Sequence, residues 1–301
     1  MKKEMLSNFI KGTIFAFLTG LGTMGNISVF VSYVLLFAGN EKKSIYLILL
    51  HLAITNTITL LSKGMPSIIA PFGVRNFLDD TGCKIVAYLE RVAPSLTMCT
   101  SALLTVVQAV TISPAHSRWR KLKFRSPWHI LHLCLFFWVL NSSIGMNLLF
   151  SITSTTMNTS KDSRNHKACH FQPENQKIKW TFFTVMIIRD VVFLGIMGTA
   201  SGYMVFLLHR HHQRVLRLQI SKSLYKLPPE IKAARSILLL MLCFLFFYWT
   251  DCVFSIFINF FLENNFILLN IRNFMTLGYA IVCPFVLIHR DAHLAECWRA
   301  L

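Results

Sequence analysis

Acidic side chains are scarce in this chain. Asp and Glu number 13 against 30 Lys and Arg, and charged residues make up only 14% of its 301 residues. A soluble globular domain carries about 25% charged residues, so this composition cannot clothe a water-facing surface of ordinary size. The patterns that mark common catalytic sites are missing too. There is no HExxH, no GxSxG, no P-loop and no paired-cysteine motif, so no enzyme is expected. An intramembrane protease would need an aspartate pair or a Ser–His dyad in a recognisable setting, and Asp190 and Asp251 stand in apolar runs without one. The run His209-Arg210-His211-His212 has no nearby acid or cysteine, and its arginine repels cations. No metal and no cofactor are expected. The inverted repeat of many transporters is not visible. No cleavable signal peptide is apparent, and the first apolar run is expected to act as a retained signal anchor.

Apolar residues fill the space that charges leave, at 54% of the chain with 26 Phe. They gather into seven runs at about 12–38, 45–69, 83–112, 129–152, 180–208, 232–260 and 268–289. Runs of this length cross a bilayer as helices, because only a helix satisfies its own backbone there. The sequence therefore predicts an all-α membrane protein, a seven-transmembrane helix bundle forming one domain over 1–301. The net charge of +17 could suggest nucleic acid in a soluble protein. In a bundle it reads as cytoplasmic loops lying on membrane lipid, and no nucleic acid partner is expected. Lys42 and Lys43, the run Arg118, Arg120, Lys121, Lys123 and Arg125, and a third group from Arg210 to Arg235 fall on one side. That bias places the N-terminus outside and the C-terminus in the cytoplasm. Lys2, Lys3 and Lys11 pull the other way, and the downstream loops outvote them.

Within the runs, Gly22 and Gly25 allow close helix approach and Asn26 offers an interhelical hydrogen bond. Pro66 and Pro94 should stop or distort their helices. Glu90 and Arg91, Arg189 and Asp190, and Asp251 beside Tyr248 and Trp249 are polar islands in the outward half. Intramembrane charges are costly and usually face the bundle interior in pairs. Two readings stand side by side: a ligand cavity lined by Glu90, Arg91, Arg189, Asp190, Trp249 and Asp251, or ion pairs that only bind helices together. Cys83, at the top of the third run, and Cys169, in the loop after the fourth, both fall on the outer side, where an oxidising exterior permits a bridge. Asn158-Thr159-Ser160 in the same loop is a glycosylation acceptor. Asn141-Ser142-Ser143 matches that pattern inside a span, where it cannot be used. After the seventh run, residues 290–301 suit a short amphipathic helix at the inner interface, with Cys297 open to palmitoylation.

Seven spans with one cysteine atop the third and one in the following outer loop resemble a G-protein-coupled receptor. The usual rhodopsin-like signatures are altered: His51-Leu52-Ala53-Ile54-Thr55-Asn56 in the second span, Thr111-Ile112-Ser113-Pro114 ending the third, and Cys283-Pro284-Phe285-Val286-Leu287 in the seventh. With Phe77-Leu78-Asp79-Asp80-Thr81-Gly82-Cys83-Lys84, Phe247-Tyr248-Trp249-Thr250-Asp251 and His289-Arg290-Asp291, these segments resemble the vomeronasal type-1 receptors from about residue 20 onward. Bitter-taste receptors are the nearest competing family, and a small-molecule transporter is the alternative from another class. The resemblance implies a plasma-membrane chemosensory receptor for pheromones or related small molecules, coupled to a heterotrimeric G protein of the inhibitory class. The basic inner surface, including Arg118, Arg120, Lys121, Lys232 and Arg235, is then expected to face that G protein. One departure stands out: Arg91-Val92-Ala93-Pro94-Ser95 replaces the family's usual Arg-Val-Ala-Arg-Gly. It alters the expected pocket wall, so no ligand class carries over.

Overall fold

The computed structural model describes residues 2–38, 44–69, 80–114, 117, 126–146, 152–157, 166–171, 176–217, 229–261 and 266–290. Among the described residues there are seven helices: α1 (Lys2–Ala38), α2 (Ser44–Ile69), α3 (Asp80–Ile112), α4 (Pro127–Gly145), α5 (Gln176–Arg217), α6 (Pro229–Phe261) and α7 (Phe266–Arg290). Six hold apolar stretches long enough to cross a membrane, and α7 holds a shorter one, Asn273–His289.

Two boundaries follow directly from local chemistry. Ser126 caps α4 by accepting a hydrogen bond from the Trp128 amide at 3.4 Å, with Pro127 opening the first turn. Pro229 opens α6 for the same reason, since a proline at the first helical position loses no internal bond. Pro66, Pro94 and Pro284 lie inside continuous helices, so of the stop or distortion expected at Pro66 the stop does not occur.

The stretch after α4 departs from the all-α expectation. The fourth apolar run extends to 152, yet α4 is described to Gly145, and Ile152 begins a strand. β1 (Ile152–Met157) pairs antiparallel with β2 (His166–Phe171), with Ser154 opposite Cys169. The β1 sequence Ile-Thr-Ser-Thr-Thr-Met is rich in β-branched residues, whose stiff side chains favour extended backbone.

The bundle is apolar on the outside. On α6, Leu239, Leu242, Phe246, Trp249 and Val253 are all exposed at helical spacing, while Ile237, Leu240, Met241 and Phe244 are buried. Exposed rows also run along α4 (Leu131, Leu135, Phe136, Val139) and α5 (Val191, Val192, Ile196, Val205, Phe206). Contiguous apolar surface on this scale is stable only against lipid.

Small and hydroxyl-bearing side chains put α3 at the centre, where it packs against α2, α4, α5, α6 and β1. Ser95, Thr97, Cys99, Thr100, Ser101, Ala102 and Thr105 are all buried. Several of their hydroxyls are satisfied within the helix, as where Thr100 and Thr105 each donate to the carbonyl four residues back at 2.7 Å.

Two neutral networks tie the bundle. Asn26 donates to Gly22 O (2.8 Å) and Ala280 O (2.9 Å), Asn56 donates to Asn26 Oδ1 (3.3 Å), and Thr97 donates to Asn56 Oδ1 (3.3 Å). This joins α1, α2, α3 and α7. The close approach needs Gly25, where a Cβ would stand 2.9 Å from Pro284 Cγ. The second network joins α2, α3 and α4. Trp138 Nε1 donates to His51 Nε2 at 2.9 Å, so the ring proton sits on Nδ1 and is given to Thr100 Oγ1 at 2.8 Å. At the opposite end of α3 from Cys83, Ala109, Ala200, Met204 and Ala234 bring α3, α5 and α6 together. There Tyr203 OH lies 3.2 Å from both Ser113 Oγ and Ser117 Oγ.

Candidate functional site

The polar islands of α3, α5 and α6 converge in the half of the bundle nearest Cys83. Arg189 is buried, and its Nε (2.9 Å) and Nη2 (2.6 Å) both donate to Asp190 Oδ1. Neighbours in sequence do not face each other on a helix, so the long arginine side chain curls round to close this pair. Its Nη1 donates to Asn141 Oδ1 on α4 at 2.9 Å, and Tyr248 OH on α6 donates to Asp190 Oδ2 at 3.0 Å. Asn141 is held by donating to Phe137 O at 2.8 Å and contacts Cys99 Sγ on α3 at 3.5 Å. One ion pair therefore links four helices, with both carboxylate oxygens engaged. Asp251 is satisfied across the α6–α7 seam, where Thr276 Oγ1 donates to its Oδ1 at 2.5 Å.

Glu90 and Arg91 behave differently. Both are exposed although they sit on the most enclosed helix, with Val92 and Ala93 buried directly after them. Along α3 they lie about 12 Å below Cys83, at ~1.5 Å per residue. Arg91 Nη2 donates to the Met186 Sδ of α5 at 2.6 Å. Pro94 has no N–H for the carbonyl of Glu90, and Ser95 Oγ donates to the Arg91 carbonyl at 3.1 Å. Pro94 thus leaves one helical bond unmade, in an otherwise continuous helix, at the turn that carries these two exposed charged side chains.

The six residues expected to line a cavity thus separate into three groups. Arg189 and Asp190 form an interhelical tie, with Asp251 in a smaller tie beside them. Glu90 and Arg91 are both exposed on α3. Trp249 departs from the expectation: it is 73% exposed and falls on the outward stripe of α6, so it faces lipid, because the spacing that buries Phe244 and Tyr248 turns position 249 outward. Asn141 was legible only as an unusable glycosylation pattern, although an asparagine in an apolar run is itself a signal for an interhelical bond. Met186 carried no signal at all.

Cys83 is disulfide-bonded, while Cys99, Cys134, Cys243, Cys252 and Cys283 are free. Cys169 lies on β2. Arg235 is exposed near the start of α6, and Lys232 lies in the same helix. Arg118, Arg120, Lys121, Asn158, Cys297 and the tail 291–301 lie outside the described residues.

A helical bundle with an apolar exterior and interior charges gathered in one half has the build of a multi-pass membrane receptor. Residues 9–300 match the vomeronasal organ pheromone receptor family, and the chain belongs to that family. It is a chemosensory receptor of the G-protein-coupled type in the cell membrane, and its family is one of receptors rather than enzymes. It is 32% identical over 289 residues to vomeronasal type-1 receptor 4 of Homo sapiens, covering 95% of this chain and 96% of that protein. Human vomeronasal type-1 receptor 3 is 33% identical over 288 residues, covering 93% and 90%. The olfactory receptor class A-like protein 1 of Danio rerio is 30% identical over 288 residues, covering 95% and 90%.

Proposed function

We propose that the chain is a pheromone receptor, one domain over residues 1–301, which binds a small molecule in the half of the bundle nearest Cys83. In this reading the Cys83 end is extracellular, with the N-terminus outside and the C-terminus in the cytoplasm. Cys83 is bridged to Cys169, which draws the β1–β2 hairpin over the mouth of the bundle as a lid, and Asn158 carries a glycan on that lid. The ligand meets Glu90 and Arg91, with the Arg189–Asp190 tie and Asp251 at its side. A heterotrimeric G protein of the inhibitory class docks at the other end, against Arg118, Arg120, Lys121, Lys232 and Arg235.

The observation that carries the reading is the exposure of Glu90 and Arg91 on a helix enclosed by α2, α4, α5 and α6. Charged side chains at membrane depth persist where they line a water-filled cavity. An apolar chamber with few polar anchors is the usual design for holding a small molecule. Signalling requires that the ligand bind one of two bundle shapes better than the other. The α6 helix suits such a change, since it starts afresh at Pro229 and meets α3 and α5 through alanines at the Ser113 end.

The coupling half is tested by neutralising Lys232 and Arg235 together. Surface expression is expected to stay at the wild-type level while ligand-driven G-protein activation falls by at least about tenfold, the equivalent of ~1.4 kcal/mol at the docking surface. Wild-type activation in a correctly inserted Lys232→Gln/Arg235→Gln receptor would reduce these charges to topological anchors and move the coupling surface elsewhere.

A further inference from the structure

The charges in the chamber are not equally committed. Arg189 spends three N–H groups on Asp190 and Asn141, and the second oxygen of Asp190 is taken by Tyr248. This tie is neutral and closed, and offers an incoming molecule no charge. Asp251 already accepts from Thr276. Arg91 is the exception among the described residues. Its guanidinium carries five donors in a planar fork, and its only hydrogen bond among the described residues is to a thioether sulfur, a weak acceptor. Among the described residues, no carboxylate forms a hydrogen bond or salt bridge with it. A cation at this depth is costly without an anionic partner, and the fork geometry matches an oxyanion through two parallel hydrogen bonds. Tyr88, one turn toward Cys83 on the same face of α3, and Met186 on α5 supply apolar surface beside it.

We propose that Arg91 is the anchor for a singly charged oxyanion carried on an apolar body, such as a carboxylate or sulfate monoester amphipath. The inference rests on the chamber reading above and adds to it the ligand's charge and the residue that reads it. Pro94 and Ser95 have a part in this. Pro94 offers no N–H to the Glu90 carbonyl, and Ser95 Oγ bonds the Arg91 carbonyl, at the turn that carries the exposed guanidinium. The neighbouring Arg189 sharpens the selection, because its closed tie leaves Arg91 as the one of these two arginines still able to take an anion.

The probes are octyl sulfate, octanol and octyltrimethylammonium, which share a tail and differ in head charge. Each is titrated below its critical micelle concentration into receptor held in nanodiscs of zwitterionic lipid, and binding is read from thermal stabilisation. Octyl sulfate is expected to half-saturate at a concentration about tenfold or more below octanol, the gain of one or two charge-assisted hydrogen bonds, and the ammonium should be weakest. Arg91→Gln should bring octyl sulfate to the level of octanol, and Arg91→Lys should keep part of the preference. Met186→Glu serves as a second route that leaves Arg91 in place. It puts a carboxylate where the sulfur now sits, pairs with the guanidinium and should abolish the preference equally.

A repeat in discs containing phosphatidylglycerol separates the two sources of such a head group. Competition that weakens octyl sulfate in wild type but not in Arg91→Gln would show that a lipid head can fill the same oxyanion site. Equal binding of octyl sulfate and octanol would overturn the anion assignment while leaving the chamber standing. An anion preference undiminished in Arg91→Gln and Met186→Glu would overturn the role of Arg91. Failure of every probe to bind would overturn both this inference and the chamber beneath it.

Discussion

Asp190→Ala should leave little folded receptor at the cell surface. Among the described residues the carboxylate is the only anion on the Arg189 guanidinium, and the two side chains are 8% and 19% exposed. Removing one member of a buried pair strands the other and typically costs about 3–5 kcal/mol, which is a large share of an ordinary stability of ~5–15 kcal/mol. The same substitution takes the acceptor from Tyr248 and so loosens α6 from α5. Asp190→Asn tests the electrostatic part, since it keeps an acceptor for Tyr248 yet still leaves Arg189 uncompensated, and it should be nearly as damaging. Tyr248→Phe removes one hydrogen bond only. Measured intramembrane hydrogen bonds average about 0.6 kcal/mol, so its surface level should stay close to wild type. The double replacement Arg189→Leu/Asp190→Leu should recover much of the loss, because replacing both members of a pair removes the stranded charge. Surface level and thermal stability of the four variants decide the matter. An Asp190→Ala receptor as stable as Tyr248→Phe would mean that the tie is not structural.

Gly278→Val should be comparably severe for a purely steric reason. A Cβ at position 278 on α7 would overlap the Phe247 ring of α6, standing 2.8 Å from Cζ and closer still to Cδ1 and Cε1. The ring is hemmed by its edge-to-face neighbour Phe246, with centroids 5.4 Å apart. It packs on the main core, so α6 and α7 would have to separate. Overpacking of this kind costs about 1–3 kcal/mol and sometimes more, and here it also breaks the seam at which Thr276 satisfies Asp251. Gly198→Ala is the contrast. Nothing lies within 4 Å of a Cβ there, and alanine is the better helix former by ~1 kcal/mol, so that variant should be at least as stable as wild type. Phe247→Ala should rescue Gly278→Val by vacating the contested space. Failure of that rescue would show that the clash lies elsewhere.

Much of this architecture could be read from the sequence, because lipid enforces a simple rule. A long apolar run must be a helix, and the runs beginning at 180 and 232 are longer helices than their apolar parts alone. The chain from His209 onward keeps a helical polar pattern, and α5 runs to Arg217. The hairpin was not legible. Apart from Ile152 its strands lie outside the apolar runs and are short, and the mostly Thr and Ser residues of β1 read as loop until a partner strand is known. Close helix contacts at Gly22 and Gly25 and the bonding of Asn26 were legible, since small residues and a lone asparagine in an apolar run have few other uses.

Among the candidate site residues, position along the helix was legible and facing was not. A periodic pattern requires contrast, and α6 is apolar on every side, so nothing in the sequence told the outward Trp249 from the inward Tyr248. Pairing was hidden for a second reason. Arg189 closes on its own neighbour Asp190 rather than on Glu90 or Asp251, a choice made by side-chain reach and by the position of Asn141 on another helix. The same choice left Arg91 without a carboxylate bonded to it among the described residues, which no spacing rule could have foretold.

The central claim, that the Glu90–Arg91 turn faces a chamber open to the cell exterior, is tested most directly by Arg91→Cys. Intact cells bearing this variant are treated with a membrane-impermeant thiol reagent, with the unsubstituted receptor as background and Asn56→Cys as a buried control. Labelling at position 91 from outside, with none above background at position 56, is the result this account predicts. Labelling of Arg91→Cys only after the cells are permeabilised, or not at all in a receptor that reaches the surface, would contradict it.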